Sequence, residues 1–265
     1  MAPPKSRLPT PWEVVCLIAN DMAFHGNLHA ARLVVVMFCL YLRPVELLGF
    51  VGKQLVPPLT LPGHDLWSMV LFPQEAETTS RTGEQDESLL LDLPFFQFLA
   101  LVLRILKDEA GVEGAVSHLS YAQLAAVYRA AGVRLGLEGP PTLYQLRHGG
   151  AASDLAARRR VLAEIKARGR WHDDRSLARH TKGGRVTEQL SKLPAGLLAF
   201  AARVERQIGN ILSGRSPPLR QSCGCGSRWR FSQAPGGCQV PGRSSSVSTE
   251  CRSLSGMFAG AQNTI

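Results

Sequence analysis

Apolar positions recur at helical spacing over most of residues 10–212 of this chain and stop recurring beyond them. Thr10-Pro-Trp-Glu13 joins a hydroxyl N-cap, a proline at the first helical position and a glutamate three residues on, so a helix starts there with Trp12, Val15, Cys16 and Ile18 on its apolar side. From 28 to 42 apolar residues fill nearly every position, including Leu33-Val-Val-Val-Met-Phe-Cys-Leu40, which predicts a helix buried on most of its surface. Arg43-Pro44 ends it, because proline is accommodated only in a first turn; Pro44 opens a short helix over 45–48 that Gly49 closes. Two β signals, 66–72 and 88–92, flank a polar stretch over 74–87 that contains Arg81-Thr-Gly83, and together they predict a hairpin-like insert. Helical spacing returns over 95–109, 121–132, from an N-cap at Thr142 to 157, then 160–168, 173–181 and 187–212. The fold class is therefore α+β, mainly α, with a small antiparallel sheet or hairpin.

Past Ser213 the chain turns to Ser, Gly, Pro, Arg and scattered Cys, with too little apolar periodicity to offset the entropy of ordering it. The organisation read from this is an N-terminal extension over 1–9, one folded domain over 10–212 and a disordered tail over 213–265. There are no internal repeats.

Composition narrows the class. With 45% hydrophobic and 19% charged residues in 265, the chain buries a sizeable core, which excludes collagen-like and wholly disordered classes. No apolar run reaches the roughly 18 residues that cross a bilayer, so no membrane partner is expected. Met1-Ala-Pro-Pro-Lys5-Ser-Arg7 leads into no secretory core, so the expected setting is intracellular, nuclear in a eukaryote. Cys16 and Cys39 lie in apolar helices; Cys223, Cys225, Cys238 and Cys251 have neither the spacing nor the histidines of a common zinc site, so neither metal nor cofactor is expected.

The net charge of +9 is unevenly spread: 10 basic and 14 acidic groups over 1–146, 14 and 6 over 147–206, and 6 and 1 over 207–265. A basic band inside the folded part is the footprint of a polyanion partner, nucleic acid first, or of a merely solvated helix face.

Three separated segments carry candidate chemistry: Tyr41-Leu-Arg-Pro-Val-Glu46, Leu143-Tyr-Gln-Leu-Arg147-His148, and Gly169-Arg-Trp171 running to His180. Together with the hairpin Ser80-Arg81-Thr-Gly83 between the first two, in this order and at these separations, they resemble the catalytic domain of the tyrosine recombinase (phage integrase) family, especially eukaryotic transposon-borne members, over about residues 10–206. In that family a tyrosine attacks a DNA phosphodiester, two arginines hold its non-bridging oxygens, a His or Trp supports the phosphate and a hairpin lysine protonates the leaving 5′ oxygen. The chemistry is mostly positioning and charge stabilisation, for which planar guanidinium forks suit phosphate. The resemblance implies that Arg43 is the first arginine, with Glu46 one turn on to orient it, that Arg147 is the second, and that Trp171 stands at the His/Trp position.

The chain departs from the family where protons and covalent bonds move. His180 occupies the nucleophile position, nine residues after Trp171, and imidazole is a poor substitute for a phenol whose ester preserves the bond for religation. Arg81 stands at the lysine position; with a reference pKa of roughly 12.5 or above it binds phosphate but is no ready general acid. Tyr144 replaces the usual first histidine of a His-x-x-Arg pattern and can hydrogen-bond a phosphate oxygen. With roughly ten residues before the first helix, the family's N-terminal DNA clamp is not expected within this sequence.

The resulting expectation is a degenerate recombinase domain that binds duplex DNA, with Arg158, Arg159, Arg160, Arg168, Arg170, Arg175 and Arg179 on its backbone, and without strand transfer. Family members commonly assemble on DNA through an exchanged C-terminal helix, for which 187–212 is the candidate, although a helix docked on its own core would show the same pattern. Other readings stand beside this one. Arg43 and Glu46 also suit a structural ion pair, Arg147-His148 a solvated helix face, Trp171 a core anchor and the basic band mere solubility. The competing functions are an active enzyme using His180 or Tyr144, and a structural domain or transposon remnant.

Overall fold

A computed structural model of the chain describes residues 8–74, 85–137 and 141–221, the side chains of Ser176 and Arg179 excepted. The architecture is mainly helical with one small antiparallel sheet. At its centre lie α1 (Trp12–Phe24) and α2 (Leu28–Cys39), packed on each other and buried over most of their surface, α2 as the continuous apolar run of 33–40 predicts. A short α3 (Pro44–Leu48) follows, with Gly49 as its C-cap.

The sheet has three strands in the order β1 (Leu55–Val56), β2 (Ser68–Leu71) and β3 (Glu87–Leu90). Met69 and Leu71 alternate inward on β2, and Met69 pairs with both Leu55 and Leu89. The two β signals of the sequence are thus β2 and β3; β1 has too few residues to leave a period-2 signal. The tip of the insert, with Arg81, lies outside the described residues.

Six more helices precede the last one: α4 (Leu99–Ala110), α5 (Tyr121–Arg134), α6 (Tyr144–Ala156), α7 (Leu162–Arg168), α8 (Asp174–His180) and α9 (Gly183–Ser191). The run expected as one helix over 187–212 is broken. Pro194 lacks the N–H that a continuing helix needs, so α9 ends and α10 (Ala195–Leu212) begins beyond it. The apolar face of α10, including Leu197, Phe200, Val204 and Ile208, is buried, and the helix packs on α1 of its own chain, where the Trp12 indole N–H donates to Glu205 at 2.8 Å.

Two capping expectations shift by one residue. α1 starts at Trp12 with Pro11 at the N-cap, because Thr10 is drawn into a tertiary contact in which its N–H donates to the Gln145 carbonyl. α6 starts after Leu143, and the Thr142 N–H donates to the Gln145 side chain at 2.6 Å. The packed chain also runs past the expected boundary at 213. Buried Asn20 clamps Leu219 reciprocally, its Nδ2 donating to the Leu219 carbonyl (2.9 Å) and its Oδ1 accepting from the Leu219 N–H (2.8 Å). The rest of the expected tail, with its four cysteines, lies outside the described residues, and among those described no helix is long and apolar enough to cross a membrane.

α6 positions the site, and it reaches α2 through a glycine. A Cβ on Gly150 would lie 2.2 Å from the Phe38 carbonyl oxygen and 2.7 Å from the Tyr41 ring, both fixed in the interior. Gly150→Ala is therefore expected to destabilise the fold by about 1–3 kcal/mol, read as a lower urea midpoint with an unchanged m-value. α6, α7 and α8 enclose a second apolar cluster of Tyr41, Ala151, Ile165, Trp171 and Leu177, separate from the main core. It is the floor on which the charged residues sit.

Candidate phosphate-binding site

Arg43 is the N-cap of α3, and Pro44 behind it fixes the first turn. Its backbone N–H donates to Glu46 Oε2 at 2.6 Å and its Nη1 to Glu46 Oε1 at 2.5 Å. The Glu46 carboxylate, with its side chain 1% exposed, also meets Arg170 Nη2 at 2.5 Å and Arg147 Nη1 at 3.7 Å. Burial opposes its charge, but Arg170, Arg147 and the Arg43 backbone N–H together hold the carboxyl below its usual range. Three guanidiniums from distant parts of the chain thus converge on one carboxylate. A second carboxylate, Glu87 at the start of β3, lies 3.2 Å from Arg170 Nε.

Arg147 is buried on α6, with Nη1 donating to the Tyr41 carbonyl at 2.6 Å and Nη2 to the Gly169 carbonyl. Its guanidinium lies 5.2 Å from the Trp171 ring centroid. Burial, then Arg170 and Arg43, push its pKa down to about 9, which leaves it charged at neutral pH. Trp171 packs against Gly169, where a Cβ would come within 2.2 Å of the indole. On the far side the His180 ring lies 4.3 Å from the Trp171 ring and 4.0 Å from that of His148, nearly parallel to the latter at 7°.

Arg43, Glu46, Arg147, Trp171 and His180 therefore form one continuous cluster. Tyr144 opens α6 one turn before Arg147 and His148. Arg81 lies outside the described residues, and of Arg179 only the backbone is described.

The arginines expected on a DNA backbone divide. Arg158, in a left-handed backbone conformation (φ 53°), and Arg175 are exposed. Arg160, Arg168 and Arg170 instead point inward, a correction to the expected basic face. Arg160 forks onto Asp92 at 2.9 and 2.5 Å and approaches Asp154 at 3.5 Å. Arg168 donates to the Leu90 carbonyl at 2.9 Å and to Asp92 and the Cys39 carbonyl at 3.2 and 3.3 Å. Arg159 lies 3.7 Å over the Phe95 ring and 3.6 Å from Asp154. The reason is electrostatic: Asp154, Glu46 and Glu87 are shielded carboxylates, and leaving a buried one without a cation costs several kcal/mol, while the more exposed Asp92 adds a bidentate acceptor at the rim.

Sequence reading missed Asp92, Asp154, Glu87, Tyr41 and His148. Asp154 had a signal. It lies two turns after Arg147 on the same face of α6, next to Ala151 and Ala152, so a carboxylate there faces the interior and needs a buried partner. Tyr41 meets that need by donating its hydroxyl to Asp154 Oδ2 at 2.5 Å. Among the described residues no three His, Cys, Asp or Glu side chains gather as a metal site, and Cys16 and Cys39 are buried free thiols whose pKa burial pushes up.

No family model and no curated protein matches the chain. Among solved structures, the chain is similar to the XerH site-specific recombinase, bound to its palindromic difH substrate in a post-cleavage complex, at 15% identity and a TM-score of 0.45. The match covers 70% of this chain and 54% of that one, so this chain spans about half the length of the recombinase it matches.

Proposed function

We propose that this chain is a DNA-binding domain of tyrosine recombinase descent, tied to DNA integration or recombination, which grips duplex DNA by its phosphates without cutting it. The observation that carries the reading is the convergence of Arg43, Arg147 and Arg170 on Glu46, with Trp171 and His180 alongside. Three guanidiniums against Glu46 and Glu87 leave a local excess of positive charge. Arg43, with its side chain 27% exposed, is the member open to solvent, and its remaining N–H donors suit a phosphate oxygen pair. Exposed Arg158 and Arg175 extend the contact along the backbone.

Absence of strand transfer follows from the nucleophile. The chain has four tyrosines. The Tyr41 phenol is committed to Asp154, and burial together with that carboxylate pushes its pKa far up; Tyr128 is also fully buried. Tyr121 opens α5, outside the cluster, which leaves Tyr144 and His180, and the His180 ring is held between those of His148 and Trp171. The competing reading, an active enzyme, therefore rests on His180 or Tyr144. Assembly on DNA through the C-terminal helix requires α10 to leave α1 of its own chain for a partner's, so a monomer with α10 in place is the ground state of this reading.

Titration of a fluorescent duplex against protein at rising salt tests the binding. The native chain is expected to bind with an affinity that falls steeply with ionic strength, and Arg43→Ala to lose about tenfold and lower the log–log salt slope by about 1. No binding even at low salt overturns the reading.

A further inference from the structure

We infer that Tyr41 is the positioning residue of the arginine cluster, holding Arg147, Trp171 and the approach to Arg43 in one geometry; this rests on the cluster being a phosphate site. α2 ends in a Schellman turn, with the Leu42 N–H donating to the Met37 carbonyl (3.0 Å) and the Tyr41 N–H to the Phe38 carbonyl (3.4 Å). The residue after the cap of such a turn adopts a left-handed backbone, ordinarily that of glycine. Here it is Tyr41, at φ 52°.

A bulky aromatic residue persists in that conformation only where its surroundings over-determine it. At Tyr41 they do so from four sides. The hydroxyl is tied to Asp154 at 2.5 Å, the ring stacks on Trp171 at 6.4 Å and 19°, the Arg168 guanidinium lies 5.7 Å from the ring, and Gly150 allows α6 to close over it. The left-handed turn aims the Tyr41 carbonyl at Arg147 Nη1, 2.6 Å away, and delivers Arg43 two residues later to the start of α3. The Tyr41–Asp154 bond therefore locks a backbone turn whose carbonyl orients one arginine and whose exit sets the other. Asp154 acts through Tyr41 rather than on a ligand.

Tyr41→Phe keeps the ring and removes the lock; Asp154→Asn keeps an oxygen to accept the hydroxyl. Two readouts are taken on the full chain, below the unfolding midpoint of each variant. The first is the guanidinium NMR signal of Arg147, whose Nη groups are both hydrogen-bonded and should rotate slowly. Resolved signals are expected in the native chain and in Asp154→Asn, and averaged ones in Tyr41→Phe. The second is affinity for a duplex across salt concentrations, where Tyr41→Phe is expected to lose about tenfold and about 1 in slope, with Asp154→Asn near native. Native signals and binding in Tyr41→Phe overturn the inference, as does a loss in Asp154→Asn equal to that in Tyr41→Phe. Should Tyr41→Phe fail to fold, Asp154→Ala, which removes the acceptor of the Tyr41 hydroxyl and keeps the ring, takes its place: averaged Arg147 signals are expected, and resolved ones overturn the proposal. A native chain that shows the resolved Arg147 signals yet binds no duplex overturns the DNA reading instead, and leaves the lock itself standing.

Discussion

Glu46→Ala is expected to cost about 3–5 kcal/mol of folding stability, the largest effect of any single substitution at the cluster. The carboxylate is buried and meets Arg170 and Arg43 at 2.5 Å and Arg147 at 3.7 Å. Without it three guanidiniums face one another around an empty centre, two of them with side chains less than a tenth exposed. Replacing the ion set by apolar residues would be another matter; removing one partner strands the others. Equilibrium denaturation in urea reads the loss, and a change below about 1 kcal/mol would mean that the arginines are solvated rather than held by Glu46.

The same residue sets a pH dependence. Its folded pKa lies below its unfolded one, so the stability it contributes is present above the unfolded value, about 4.3 for a glutamate, and is lost as pH falls through the folded value. Glu46→Gln, which cannot titrate, should show a shallower loss of stability than the native chain between about pH 5 and pH 2. DNA binding should suffer less than stability in Glu46→Gln, because the local positive charge rises as the carboxylate goes.

The second large effect is all or none. On a nicked suicide substrate the native chain is expected to form no covalent protein–DNA adduct, and His180→Tyr combined with Arg81→Lys is expected to form one. A tyrosine at 180 would put a phenol within the cluster that holds Trp171 and Arg147, and a lysine at 81 would supply a proton donor with a reference pKa of about 10.4 rather than roughly 12.5 or above. An adduct formed by the native chain, mapped to His180 or Tyr144, would establish the active-enzyme reading. Its absence from both proteins would mean that losses beyond those two positions separate the chain from the chemistry.

Most helices are legible in the sequence because the apolar period survives whatever the neighbours do. α1, α2, α4 and α5 stand within a few residues of their expected bounds, and α3 starts at Pro44 as expected. The failures have particular causes. The periodicity over 187–212 runs on through Pro194, whose missing N–H outweighs the pattern. Thr10 looks like a cap in isolation and is drawn off by α6. β1 is two residues long, and its pairing with β2 is a non-local fact. The candidate site divides the same way: Arg43, Glu46, Arg147, Trp171 and His180 are named by their motifs, whereas Tyr41 looks like an ordinary core residue until its backbone is seen at φ 52°.

What the sequence by itself determined is the helical class and the small antiparallel sheet, because periodicity is a local property; Arg43, Glu46, Arg147, Trp171 and His180 are singled out by the motifs that carry the family resemblance. What only the tertiary structure decided is the partner of each charge. The basic band over 147–206 looks like one surface, yet Arg160, Arg168 and Arg170 are taken inward by Asp92, Asp154, Glu46 and Glu87, three of which lie more than fifty residues before the band begins. A formal charge is a property of one side chain; whether it meets solvent, a phosphate or a buried carboxylate depends on which distant oxygen folding brings within about 3 Å.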